Sequence, residues 1–173
     1  MALDEIRKTK IEKVKELRKA GIDPYPATSA RTHSVAEALE KFEELSVSKE
    51  EIILAGRMMA KREHGGAIFF DINDGSGKIQ ALIKEDAAGK ENFDTFKNAV
   101  DIGDFIEIKG FLFKTQKDER TLEVASFKIL TKALLPLPEK WHGLEDTEER
   151  LRKRYLDLIM NPEDRELFVK KSK

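Results

Sequence analysis

The stretch that constrains this chain most is residues 67–83, where two alternating runs flank Asp74-Gly75-Ser76-Gly77. A glycine-bearing turn between two period-2 runs is a strong β-hairpin signal. With Gly75 and Ser76 as the loop, Asp74 pairs with Gly77, Asp71 with Gln80 and Phe69 with Leu82. Side chains alternate between the faces of a strand, and opposed residues share a face. Ile68, Phe70 and Ile72 therefore share a core face with Ile79, Ala81 and Ile83. The other face reads Phe69, Asp71, Asn73, Lys78 and Gln80, a large aromatic among polar neighbours. Single exposed hydrophobes are common on protein surfaces. An aromatic diagonal to a glutamine on a sheet face is also an arrangement that stacks and reads single-stranded bases.

The segments around this hairpin continue the β pattern. Residues 53–62 predict a first strand, with Gly56 suggesting a bulge or tight bend. His64-Gly65-Gly66 turns the chain into the hairpin, residues 85–90 read as a loop, and 91–100 as a short helix with Phe93, Phe96 and Val100 on one side. A fourth strand follows Ile102-Gly103-Asp104, alternating at Ile106, Ile108 and Leu112. After the polar loop 115–120, a fifth strand spans 121–130. Its Phe127 and Ile129 fall out of phase with Leu122 and Val124, which predicts a bulge near Ala125-Ser126. Five strands with a helix between the third and fourth is the order of an OB-fold barrel, whose strand 2–3 face binds oligonucleotides or oligosaccharides. The fold class predicted is mainly β with helical extensions (α+β), a five-stranded OB-fold barrel over 51–132 preceded by a helical arm over 1–50.

Within that arm, residues 3–20 carry a narrow apolar stripe at Leu3, Ile6, Ile11, Val14 and Leu17. Asp4 and Glu5 open the helix, Arg18 and Lys19 close it, and Gly21 and Pro24 stop it. Its middle is rich in Lys10, Lys13 and other cations, which suits either a solvated face laced with Glu–Lys pairs or a helix lying along phosphates. Ser34-Val35-Ala36-Glu37 is a capping-box pattern for a short packing helix to about Glu44.

The net charge of the 173 residues is −1, so no global positive field recruits nucleic acid and any such binding depends on local patches. Absence of cysteine excludes disulfides, a thiolate nucleophile and a cysteine zinc site. His33, His64 and His142 lack ligand spacing and read as turn or surface residues. There is no signal-like or membrane-length apolar run, and the expectation is a soluble, cytoplasmic protein. Beyond Thr131, Ala133-Leu-Leu-Pro-Leu-Pro138 is a stiff connector followed by Trp141-His142-Gly143. Asp146-Thr-Glu-Glu149 reads as the cap of a helix to about Leu158, and Asn161-Pro162 starts another that is still running at Lys173. That pattern is expected of a piece of a longer protein.

Several strings stand in order and spacing: Gly56-Arg-Met-Met59, Asp74-Gly-Ser-Gly-Lys-Ile-Gln80, Leu112-Phe-Lys-Thr115, the run 130–144, and Arg154-Tyr-Leu-Asp-Leu-Ile-Met-Asn-Pro162. Together they resemble the amino-terminal region of bacterial class II lysyl-tRNA synthetases. The resemblance covers nearly the whole chain and is most specific over 130–162. It implies an anticodon-binding OB domain, with 133–173 as a hinge and the truncated start of a class II catalytic domain. By position, Phe69 corresponds to the aromatic that stacks on an anticodon base and Gln80 to the residue bonding the central uridine. Glu119 corresponds to an acid contacting the same base, Arg62 to a basic position facing it, and Arg57 to a further candidate. Lys10, Lys13 and Arg18 fall on the basic helix that contacts tRNA in the family. Asp118-Glu119 departs from the Gly-Glu of the family pattern. The implied partner is the tRNA-Lys anticodon stem-loop. ATP, Mg2+ and homodimerisation belong to the full-length parent, while this fragment carries no catalytic residue or cofactor site and is expected to be inactive alone. Two other readings compete. One is a general single-stranded nucleic-acid binder, the other a protein-interaction module pairing through the apolar patches 134–137 and 155–159.

Overall fold

The computed structural model describes residues 3–138 and 147–172. Residues 1–135 form one compact unit and 136–173 a second. Trp141, His142 and the Asp146 cap lie outside the described residues.

The arm opens with α1 (Leu3–Lys19), whose apolar stripe buries Val14 and Leu17. Where one helix was expected next, the chain makes two, α2 (Val35–Glu40) and α3 (Phe42–Ser48), separated at Lys41. The Ser34–Glu37 capping box is formed in full. The barrel strands are β1 (Ile52–His64), β2 (Ala67–Asn73), β3 (Lys78–Lys84), β4 (Phe105–Lys114) and β5 (Arg120–Thr131). They close in the order β1-β2-β3-β5-β4, with β4 returning to β1. All neighbours are antiparallel except β3 and β5, which run parallel. Helix α4 (Glu85–Ala88) occupies what was expected to be loop, and α5 (Lys90–Ala99) crosses between β3 and β4.

The hairpin register matches the pattern: Asp71 lies opposite Gln80 and Phe69 opposite Leu82. Ile68, Phe70, Ile72, Ile79, Ala81 and Ile83 are buried in the barrel. Helix α5 closes this core by seating Phe96 against Phe70 at 4.8 Å between ring centroids and edge-on to Phe127 at 5.0 Å. Asp74 does more than turn the hairpin. Its Oδ1 accepts from the Ser76 and Gly77 amides, while Oδ2 accepts from Val35 N at 3.0 Å. Ser76 Oγ accepts from Ala36 N, so the β2–β3 turn caps the amino end of α2 from 40 residues away.

Two irregularities decide which side chains face outward. The break in β1 falls between Met58 and Ala60, not at Gly56. Gly56 is instead a close approach, since a Cβ there would meet the Asn73 backbone at 3.0 Å. In β5, Ser126 pairs with Lys109 and Val124 with Gly110, leaving Ala125 as the extra residue of the predicted bulge.

In the second unit the single expected helix is also two, α6 (Thr147–Arg152) and α7 (Arg154–Met160), followed by α8 (Pro162–Ser172). The buried Asp157 carboxylate holds them, accepting from Arg150 Nε at 2.8 Å, Arg154 Nη1 at 2.9 Å and Asn161 Nδ2 at 2.7 Å. Arg150 also bridges to Asp164 of α8. Among the described residues no helix is long and apolar enough to cross a membrane.

Candidate nucleic-acid interface

Paired residues on neighbouring strands point the same way, so the registers build two outward rows. One runs Arg62, Phe69, Leu82, Glu123 and Phe111. The next runs Ala60, Asp71, Gln80, Thr121 and Phe113. The β1 break at Met59 sets this facing: without the extra residue, Arg62 would fall on the core side, opposite a core residue of β2.

Above these rows lies a cleft of about 670 Å³. Its lining includes Arg62, Phe69, Gln80 and Glu119, which come from β1, β2, β3 and the β4–β5 loop. Phe69 is half-buried, with part of its ring left to the cleft, while Gln80 is only 8% exposed. The Gln80 amide nitrogen donates to Thr121 Oγ1 at 2.9 Å, and that hydroxyl donates to the Glu119 carbonyl at 3.1 Å. Glu119 is held in place by its backbone. Thr115 N donates to its carbonyl at 3.0 Å and its own N donates to Thr115 Oγ1 at 3.2 Å, leaving the carboxylate exposed. Asp118, next to Glu119 in this loop, has φ +60°, a left-handed conformation that aspartate tolerates better than most side chains.

Other candidates lie elsewhere. Arg57 is on the outward side of β1 but beyond the break. Its guanidinium covers the Phe105 ring at 4.2 Å and donates to the Gly103 carbonyl at 3.0 Å, and burial lowers its pKa. Lys10 is 7% exposed and its ammonium reaches the Ile102 carbonyl at 3.4 Å. Burial lowers its pKa despite the opposing attraction of Asp101 and Asp104. Lys13 pairs with Asp101 at 2.6 Å. Of the three α1 candidates, Arg18 alone is exposed. The structure therefore gathers Arg62, Phe69, Gln80 and Glu119 at one cleft, whereas Arg57, Lys10, Lys13 and Arg18 are not among its lining residues.

The cleft also contains residues that sequence reasoning did not single out, among them Leu82, Lys84, Phe113 and Lys117. Phe113 is placed by the pairing of β4 with β5 and by the parallel contact of β5 with β3, neither of which leaves a local signal. Lys84 pairs with Glu123 at 2.7 Å, so the positive charge of the cleft is partly balanced, as the neutral composition implies. Among the described residues no group of three His, Asp or Glu side chains is placed to hold a metal ion.

The family model that matches this chain is the tRNA anticodon-type OB-fold nucleic acid binding domain, over residues 52–130. The barrel has the OB fold of that family. Its chain is similar to lysine–tRNA ligases along almost its full length. It is 51% identical to that of Carboxydothermus hydrogenoformans over 99% of this chain and 34% of the relative. With that of Thermotoga maritima the identity is 43%, over 99% and 35%. With that of Pelotomaculum thermopropionicum it is 45%, over 99% and 33%. The chain thus spans about a third of the length of the curated relatives it matches. The OB-fold match over residues 52–130 lies within the stretch that this chain shares with these ligases.

Proposed function

We propose that the cleft over β2 and β3 binds the anticodon loop of a lysine tRNA, and that this chain serves as the amino-terminal part of an ATP- and Mg2+-dependent lysine–tRNA ligase. The observation that carries this reading is the convergence of Arg62, Phe69, Gln80 and Glu119, from four separate segments, on one cleft of nucleotide scale. A base stacks on the Phe69 ring. Gln80 takes the hydrogen-bonding edge of the central uridine, and the Glu119 carboxylate, acting only as an acceptor, takes a base or ribose donor beside it. Arg62 and the exposed Arg18 meet phosphate, with Lys10 and Lys13 holding α1 in position rather than touching RNA. Lysine, ATP, Mg2+ and the dimer interface belong to the remaining length of such a ligase, so this chain alone would bind tRNA without charging it.

Titrating the isotope-labelled chain with an unmodified lysine anticodon stem-loop tests the placement by backbone amide shifts. Arg62, Phe69, Gln80 and residues 115–119 should move most, with Arg57 nearly still. Shifts concentrated on another face would overturn the reading.

A further inference from the structure

We infer that Thr121 is a positioning residue for base specificity: its buried hydroxyl fixes which end of the Gln80 amide the cleft presents. The inference rests on the proposal that Gln80 meets the central base. Thr121 is fully buried and paired directly with Gln80 across the parallel β3–β5 contact. A threonine hydroxyl has one proton and two lone pairs. Here the proton goes to the Glu119 carbonyl, an acceptor that has no proton to return. Toward Gln80 the oxygen can therefore only accept, so the amide must turn its NH2 group to Thr121.

That leaves the carbonyl oxygen, Oε1, for the cleft. Among the described residues Oε1 bonds no other group and no buried side-chain polar atom lacks a partner, so Oε1 is open to solvent there. An oxygen in this position accepts the N3–H of uridine. Cytidine has a lone pair at N3, and the two acceptors would repel. If the hydroxyl is removed, the amide can rotate and offer NH2 to cytidine instead. The same hydroxyl ties Gln80 to the backbone of Glu119, whose loop is closed by Thr115. The two base-facing groups are thus set by one hydrogen-bond chain running from Thr115 through Glu119 and Thr121 to Gln80.

The test is the ratio of binding constants for stem-loops with uridine or cytidine at the central anticodon position, measured for wild type, Thr121→Val and Thr121→Ser. Thr121→Val should cut the uridine preference by about ten-fold, with much of the change a gain in cytidine binding, because one good polar contact supplies discrimination of that order. Thr121→Ser, which keeps the hydroxyl, should restore the wild-type ratio. The Glu119 carbonyl keeps its bond from Thr115 in the valine variant, so folding should survive; if the melting transition is lost, Thr121→Ala replaces it. Equal loss of affinity for both stem-loops in the hydroxyl-free variant, with an unchanged ratio, would reduce Thr121 to a packing residue and overturn the inference. A wild type with no preference would instead overturn the reading of Gln80 on which it stands.

Discussion

Two polar clusters in the unit 1–135 use similar side chains to opposite ends. At the contact between α1 and the turn before β4, the charges are paired with one another, Lys132 and Asp104 buried and Lys13 and Asp101 half-buried. Lys132 is fully buried and donates to Asp104, Asp101 and the Ala99 carbonyl, while Asp104 also accepts from the Ala133 amide at 2.8 Å. Lys13 and Lys10 complete this cluster from α1. At the cleft, by contrast, Arg62 and the Glu119 carboxylate are exposed, and Gln80 has one end of its amide fixed and the other open. The first cluster attaches the arm and the start of the connector to the barrel. The second keeps hydrogen-bonding capacity for something from outside. Sequence shows a basic residue, but its partners decide which of these roles it has.

Breaking the enclosed cluster should have the largest effect. Asp104→Ala would leave the Lys132 cation buried without its main partner, and urea unfolding should show a loss of about 3–5 kcal/mol. A loss below about 1 kcal/mol would mean water or Asp101 readily replaces it. The open cluster should respond in binding rather than stability. Phe69→Ala should weaken binding of an anticodon stem-loop by roughly 1–3 kcal/mol, the range for one base–aromatic stack, with an unchanged melting transition. Unchanged affinity would remove Phe69 from the interface.

Acid should sharpen the contrast further. Burial pushes Asp101 upward, but hydrogen bonds from Lys13 and Lys132 outweigh it and hold the carboxyl below its ordinary 3.8. Asp74 behaves alike, burial being outweighed by the Val35, Ser76 and Gly77 amides and the Ser76 hydroxyl. A carboxylate with a depressed folded pKa binds protons more weakly in the folded state. Its stabilisation is present above the unfolded value and lost as pH falls through the folded one. Urea midpoints should hold steady down to about pH 5 and then decline, and Asp101→Asn should flatten the decline. A decline just as steep in that variant would assign the effect to other carboxylates. The smallest effect belongs to Lys13→Ala: about 1 kcal/mol of stability or less, reduced by salt, and no change in RNA affinity. A clear loss of RNA affinity would return Lys13 to the interface.

Local periodicity carried much of the fold. The hairpin faces, the capping box and the Ala125 bulge all follow from residues within a few positions of one another. The break at Met59 was displaced from Gly56 because glycine there answers to the Asn73 backbone, a contact between strands that spacing does not reveal. Phe69 and Gln80 could be read from the hairpin, whereas Arg62 and Glu119 came with the family resemblance. Phe113 and Thr121 required the parallel β3–β5 pairing, which no alternation encodes. Lys10 and Lys13 were read with the basic face of α1, but the acids that enclose them, Asp101 and Asp104, lie about 90 residues away.

The central claim is that the open cluster reads a base. Its most direct test is equilibrium binding, at one fixed near-physiological salt concentration, of this chain to two lysine anticodon stem-loops differing only by uridine or cytidine at the central position. The account predicts tighter binding of the uridine form by about ten-fold, the scale of a single well-made polar contact. Equal affinity for the two would contradict it and leave the barrel a general single-strand binder.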